Sequence, residues 1–422
     1  MKAVVELVST GSELLSGRTV NRHAQALGER LGWMGFTLAR DTTVPDNLEA
    51  IQEALRGALD RVDVVLVSGG LGPTSDDVTP EAVAGLFGRK VVIDPVSLHA
   101  LRRRYERLGR AVTPAAERQA RIVASAVALS NAVGAAPGER LDVGGKTVFI
   151  LPGPPTEFLA VLEQHVLPWL DAAAPDRPRS RGEILMVCGL GESDIVARFD
   201  KAGFPPADLV VAYCAAPGRI EVRFETGPRG GDPEAAAKEA CRLLGGHVYA
   251  VGREDMEEVV GRLLSRGKKT LATAESCTGG LLGGQITSVS GSSAYYRGGV
   301  IAYANDVKLA HLGVSPEILE REGAVSADVA EQMAAGVRER FGSDFGLGIT
   351  GIAGPEGGTL EKPVGLVFLA LASGSFVRVR QYRFGGDRIR VREWSVRMAL
   401  DMLRRHLQGV KETDVFGSEC ST

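Results

Sequence analysis

The sequence predicts an α/β protein built from three successive units. Two observations carry that reading. Over the first 170 residues, short apolar runs alternate with stretches of helical periodicity, the pattern of a parallel sheet covered by helices on both faces. The same alternation returns after residue 253, and between the two lies a shorter segment with a different element order. In the first unit, "AVVELVS" (3–9), "DVVLVSGG" (63–70) and "TVFILPG" (147–153) read as buried strands. Residues 21–35, 47–60 and 155–170 repeat apolar side chains at helical spacing and read as helices. Residues 171–182, "DAAAPDRPRSRG", have no apolar period and read as a linker. Residues 183–251 run strand, helix, strand, strand, helix, strand, which suits a small α+β domain. An amphipathic helix at 253–269 opens the third unit. Strands follow at 270–274, 298–304, 345–351, 365–372 and 376–384, with helices near 277–289, 306–312, 326–341 and 387–407. The polar tail reads as frayed.

Composition narrows the function. Charged residues make up 24% and hydrophobic ones 44%, which is ordinary for a globular protein with real cores. The net charge of −3 and the 5% aromatic content offer neither a basic footprint nor a stacking surface for nucleic acid. The five cysteines form no C-x-x-C pair and fit a reducing cytoplasm. The apolar run of the N-terminal "MKAVVELVST" is too short for a signal segment, and no run reaches the ~18 residues of a membrane span. The six histidines have no metal spacing and read as solvated or capping residues. "SRGK" (265–268) and "GGKT" (144–147) mimic a serine acyltransferase motif and a P-loop end, but the predicted elements around them are wrong for either.

The chemistry-bearing stretch of the third unit is "LATAESCTGGLLGG" (271–284). Ser276 stands between a predicted strand and a predicted helix. A serine there is usually an N-cap. Yet the dipole and free N–H groups of a helix end also favour a developing anion, and Thr278, Gly279 and Gly280 allow close backbone approach. No histidine is near to act as base. The next strand-to-helix junction carries Tyr303 and Lys308, and a lysine can serve as base if burial or a cationic neighbour lowers its pKa. Cys277 is the rival nucleophile, since a helix end activates a thiolate as well. A third junction, "GITGIAGPEGG" (348–358), supplies Thr350, Gly351 and Gly354 for an anion cradle, and Arg388 opens the last helix as a phosphate clamp.

Together, "AESCTGG", "GGVIAYANDVK", "GAVSADVAEQMA" and "GITGIAGPEGGTLEKPVGLV" resemble the C-terminal domain of the CinA family over about 253–410. The resemblance implies a nicotinamide mononucleotide deamidase that releases ammonia and nicotinic acid mononucleotide without a cofactor. Ser276 would be its nucleophile, and Tyr303 with Lys308 would take and return the proton.

In the first unit, "GGLGP" (69–73) leaves a strand as a glycine loop suited to phosphate. Asp76 and Asp77 follow it, and paired carboxylates beside such a loop suggest a divalent metal. Asp77 could equally cap the next helix, as could Asp46 or Asn47 theirs. "TGSELL", Asn21, "GGLGPTSDD", "NAVGAAPG" and "LPGPPTE" resemble the molybdopterin-binding fold found at the N-terminus of CinA relatives. That resemblance implies ADP-ribose pyrophosphatase activity dependent on a divalent cation such as Mg or Co, with K as a further ion. Gly69, Gly70, Gly72, Thr74 and Asp77 would hold the diphosphate and metal, with Asp46, Asp76, Glu13 and Asn21 around them. One departure is Ala135, where the family has threonine in G-T-A-P-G.

The expectation is therefore a cytoplasmic homodimer of a molybdopterin-binding-like domain (1–170), a small KH-like α+β spacer (183–251) and a deamidase domain (253–410). It acts on small nucleotides, with no membrane or nucleic-acid partner. The alternative is a molybdopterin-related binding protein, or a competence or DNA-damage accessory factor without catalysis.

Overall fold

A computed structural model describes residues 4–175, 182–227 and 229–410. Half of the expected linker (176–181), the tail beyond 410 and Cys420 lie outside them. The chain divides into two compact units, 1–180 and 181–422.

The first unit holds β1 (Val4–Thr10), α1 (Ser12–Leu15), α2 (His23–Trp33), β2 (Thr37–Val44), α3 (Leu48–Arg61), β3 (Val64–Ser68) and α4 (Thr79–Leu86). There follow β4 (Val91–Ile93), α5 (Pro95–Arg107), α6 (Pro114–Glu117), β5 (Arg121–Val123), β6 (Val127–Leu129), β7 (Gly138–Val143), β8 (Lys146–Leu151), α7 (Pro155–Val161) and α8 (Leu167–Ala173). The sheet order is β2-β1-β3-β8-β7-β6, and β4 pairs separately with β5. β3 is buried along its whole length, as a central strand covered on both faces must be. The helix expected to end at 170 continues to Ala173, into the stretch read as linker.

The sheet is mixed rather than parallel. β1, β2, β3 and β8 run parallel, but β7 and β6 are antiparallel. The cause is local. Val143 pairs with Lys146 across Gly144 and Gly145, whose φ angles of 57° and 77° are those of a two-residue hairpin, too short for a crossover.

Glu139 on β7 is fully buried and accepts the Val123 N–H at 2.7 Å. Burial, with the Glu81 carboxylate adding to it, pushes its acid up to about 8, so the folded protein carries it protonated near neutrality. In the unfolded chain it titrates near 4.5. Stability from this group is therefore complete below that value and is lost as pH rises through about 8. Denaturant unfolding should show Glu139→Gln gaining roughly a few kcal/mol on wild type between pH 5 and 9. Parallel pH profiles would contradict a neutral Glu139.

The second unit begins with β9 (Gly182–Val187), α9 (Glu192–Lys201), β10 (Leu209–Ala216), β11 (Arg219–Thr226), α10 (Pro233–Leu244) and β12 (Val248–Val251), the element order read from sequence. Its antiparallel sheet is ordered β10-β11-β9-β12. Then come α11 (Met256–Gly267), β13 (Leu271–Glu275), α12 (Leu281–Ser288), β14 (Tyr296–Ile301), α13 (Asn305–Leu312), α14 (Pro316–Glu322), α15 (Ala327–Phe341), β15 (Phe345–Gly351), β16 (Leu366–Ala372), β17 (Val377–Arg383) and α16 (Arg388–Leu407). These strands form a second sheet, β14-β13-β15-β16-β17, in which β13, β14 and β15 are parallel.

The small domain is not a free spacer. Ile184 and Met186 of β9 join the core of the following domain, while Leu185 and Val187 face α9 and α10, as the period-2 pleat requires. Asp401 of α16 holds both Arg404 and Arg405, and Arg404 donates to the Gly246 carbonyl at 2.7 Å. His247 is buried beside this cluster, against the expectation of solvated histidines.

Candidate active sites

The three parallel strands of the second sheet end at one edge, so Ser276, Tyr303 and Thr350 stand at neighbouring junctions. The Ser276 amide donates to the Ile349 carbonyl at 2.9 Å, which fixes the turn to the end of β15. The turn differs from expectation in one respect. α12 starts at Leu281, not at 277, because the buried Glu275 carboxylate caps it. Its oxygens accept the N–H groups of Gly280, Leu282 and Gly283 at 3.0, 3.0 and 2.8 Å. The helix tip is thus filled by the protein's own carboxylate, and the Gly279 amide is spent on the Ser276 carbonyl. Among the described residues, the Cys277 and Thr278 amides donate to no other backbone carbonyl. The Thr278 hydroxyl is buried without a partner.

Lys308, on the first turn of α13, is 1% exposed. Burial lowers its pKa, against the opposing influence of the neighbouring Cys277 thiol. The Ala302 amide donates to the Glu275 carbonyl at 2.7 Å, so the junction that carries Lys308 lies beside the one that carries Ser276. The lysine's position at a helix N-terminus also disfavours a cation. Lys308 Nζ donates to the Tyr303 main-chain carbonyl at 3.3 Å. The Tyr303 side chain is 61% exposed, and its hydroxyl accepts from Arg388 at 3.1 Å. Tyr303 thus offers its phenol to Arg388. Its contact with the lysine runs through the backbone.

The second Arg388 contact is to the Gly354 carbonyl at 2.9 Å, so this side chain joins the second and third junctions. The Thr350 hydroxyl is fully buried and donates to the Ala324 carbonyl at 2.6 Å, which makes it a brace. Gly351 closes β15, where a Cβ would meet the Leu366 carbonyl oxygen at 2.8 Å. Burial first of all pushes the Cys277 thiol up to about 12, while Arg388 and Arg392 pull the other way. At neutral pH that thiol stays protonated and weakly nucleophilic. Glu275 and Arg392 were not singled out from sequence. Arg392 donates to the Thr278 carbonyl at 3.2 and 2.6 Å, and its spacing of four from Arg388 puts both on one helix face.

The first unit has a cleft of about 540 Å³ at the ends of its parallel strands. Gly69, Gly70, Gly72, Asp46, Asp76, Asp77, Glu13 and Asn21 line it. Gly70 has φ +67°, and a Cβ there would lie 2.2 Å from the Thr79 hydroxyl. At Gly72 it would lie 2.4 Å from the Asp77 carboxylate. Asp77 does not cap α4. It accepts the Thr74 N–H at 2.8 Å and hydroxyl at 2.5 Å, so Thr74 holds the Asp77 carboxylate in place. The hydrogen bond from Thr74 also holds the Asp76 carboxyl below its usual range. Asp46 accepts the Ser12 N–H at 2.8 Å, and Asn47, not Asp46, caps α3. Asn21 braces Ser9 and Asp41. The "NAVGAAPG" turn is built on Asn131, which accepts the Gly134 N–H and donates to Ala136 and Glu157, so its shape does not depend on a hydroxyl at Ala135. His23 also lines the cleft. It is buried, stacks on Phe158 at 4.3 Å and lies 2.7 Å from the Ser68 hydroxyl.

Among the described residues, no three His, Cys, Asp or Glu side chains surround a common point. A divalent cation would thus be held by one or two carboxylates, with ligand phosphates completing its shell, a usual mode for magnesium. Asp76 and Asp77 fit that arrangement. Among the described residues, no helix is long and apolar enough to cross a membrane.

Residues 253–407 match the family described as "CinA C-terminal domain", and residues 6–172 match "Probable molybdopterin binding domain". A CinA-like protein of Dictyoglomus thermophilum is 40% identical over 407 residues, covering 95% of this chain and 98% of its own. A CinA-like protein of Kosmotoga olearia is 39% identical over 414 residues, covering 96% and 99%. Among solved structures, the competence/damage inducible protein CihA from Agrobacterium tumefaciens is 42% identical, covers 37% of this chain and 97% of its own, and has a TM-score of 0.35.

Proposed function

The chain belongs to the CinA family, and from that premise we propose that its second unit hydrolyses the carboxamide of nicotinamide mononucleotide. The observation that carries this reading is a fully buried lysine of lowered pKa beside the Ser276 turn. Neutral Lys308 takes the proton as Ser276 Oγ attacks the amide carbon. The Cys277 and Thr278 amides receive the oxyanion, with Arg392 fixing the Thr278 carbonyl. Lys308 returns the proton to the leaving nitrogen, ammonia departs, and an ester to Ser276 remains. Water, activated by the same amine, cleaves the ester to the carboxylate. Arg388 and the Tyr303 hydroxyl bind the nucleotide's phosphate. No step needs a metal. Ammonia release by the purified chain should therefore be the same with and without chelator, and its absence in well-folded protein would refute the reading.

We propose for the first unit the cleavage of ADP-ribose between its phosphates. The glycine loop at 69–72 would receive the diphosphate, and Asp76 and Asp77 would hold a divalent cation whose role is to neutralise phosphate charge. Potassium is a further candidate ion. The size of the cleft also favours a second reading, in which this domain only binds a pterin or nucleotide. Gly70→Ala decides between activities: it should abolish ADP-ribose cleavage while leaving deamidation within about twofold, because the distortion is confined to the first unit's loop. Unchanged cleavage would remove the glycine loop from the site.

A further inference from the structure

Charge in the first unit poses a question that the diphosphate reading leaves open. The cleft is lined by five carboxylates, Glu13, Asp46, Asp76, Asp77 and Glu157, against a single guanidinium, that of Arg22. A diphosphate entering there meets like charge, and a cation held by the Asp pair offsets only part of it. Behind the glycine loop lies a small recess of about 10 Å³, walled by Gly70, Leu71, Gly72 and Asp77, which it shares with the cleft, and by Arg118 and Arg121. The two arginines differ. Arg121 is neutralised by Glu81 at 2.6 Å, and its Nε donates to the Arg118 carbonyl. Arg118 Nε is buried without a hydrogen-bond partner. A buried, charged donor left unmade is costly, and such groups normally have a partner.

We infer that Arg118 is the anion-binding side chain of this cleft and receives a phosphoryl oxygen of the ligand's diphosphate behind the glycine loop. The recess is about the size of one water, so it admits one oxygen and not a whole phosphate. The phosphorus stays in the larger cleft, within reach of the loop amides. Arg118 is then a specificity residue: it separates ligands with a phosphate at this point from nucleosides that lack one. The inference rests on the diphosphate reading of the cleft, and its test separates the two.

In the full-length protein with magnesium, Arg118→Gln should raise the KM for ADP-ribose about tenfold or more, with kcat within about threefold. Arg118→Lys should recover only part of this, since an ammonium restores charge but not the planar donor set. An unchanged KM in the Gln variant overturns the assignment. Calorimetry with inorganic pyrophosphate needs no turnover and so stands apart from the cleavage reading. If wild type cleaves no ADP-ribose but binds pyrophosphate, and Arg118→Gln weakens that binding about tenfold, cleavage fails and the Arg118 site stands. Equal affinity in the two proteins, or no binding to wild type, overturns the site. The unfolding midpoint of each variant checks the fold, and where Gln unfolds the protein the Lys variant carries the comparison: wild-type KM and affinity in it would overturn the assignment.

Discussion

Ser276→Ala should release no ammonia from nicotinamide mononucleotide above background, while Cys277→Ala should keep turnover within about tenfold of wild type. The neighbouring groups are chemically opposed. Ser276 opens a turn pinned to β15, next to the Cys277 and Thr278 amides and at the junction neighbouring that of a buried amine. Cys277 is packed into the core, and its thiol is pushed up to about 12. A thiol so raised is almost wholly protonated at neutral pH, which removes the species that attacks. The loss on removing Ser276 should be about a thousandfold or more, because nucleophile and base act as a unit. The small effect at Cys277 should be one of packing, read as a lowered unfolding midpoint rather than a changed pH profile. Turnover surviving in Ser276→Ala and lost in Cys277→Ala would reverse the assignment.

Lys308→Met should lose activity to a similar extent, and Lys308→Arg should not rescue it, since a guanidinium stays charged at any working pH. The wild-type pH profile gives the sign. A lysine base works when neutral, and the neutral fraction rises as pH passes upward through its pKa. Burial lowers that pKa from 10.5, so kcat/KM should climb with pH and level off below 10.5. The climbing limb should vanish from the residual rate of Lys308→Met. A profile flat from pH 6 to 10, or one that falls as pH rises, would mean that the amine is not the base.

Which parts of this were legible in the sequence follows from what is local. The three parallel strand ends of the second sheet are written in short apolar runs followed by small residues, so the placement of Ser276, Tyr303 and Thr350 at neighbouring junctions could be read directly. The α12 boundary could not. Four residues of apparent helix are a turn because Glu275, at the end of a strand, reaches forward to cap Leu282 and Gly283. Propensity has no access to such a contact. The burial of Lys308 is likewise tertiary, for nothing in "NDVKLAH" distinguishes it from a solvated helix lysine. The sequence pattern brought Tyr303 to the right edge but not the direction of its ring, which Arg388 sets. In the first unit, the antiparallel strands β6 and β7 were missed although Gly144-Gly145 is a hairpin signal. Asp77 stands beside the glycine loop, as its spacing from Gly72 implies, but residue types alone do not announce that Thr74 donates to it. The apolar run at the end of β9 is that of a strand covered on both faces. That its second side belongs to the next domain appears only once α16 is folded against it.

The most direct measurement is of the acyl-enzyme itself. Wild type mixed with nicotinamide mononucleotide, quenched in acid within one turnover and fragmented for mass spectrometry, should carry the nicotinoyl mononucleotide group as an ester on Ser276. The adduct should be absent from Ser276→Ala. The group found on Cys277, or ammonia released by a protein that never carries an adduct, would contradict a serine activated by a buried, neutral lysine.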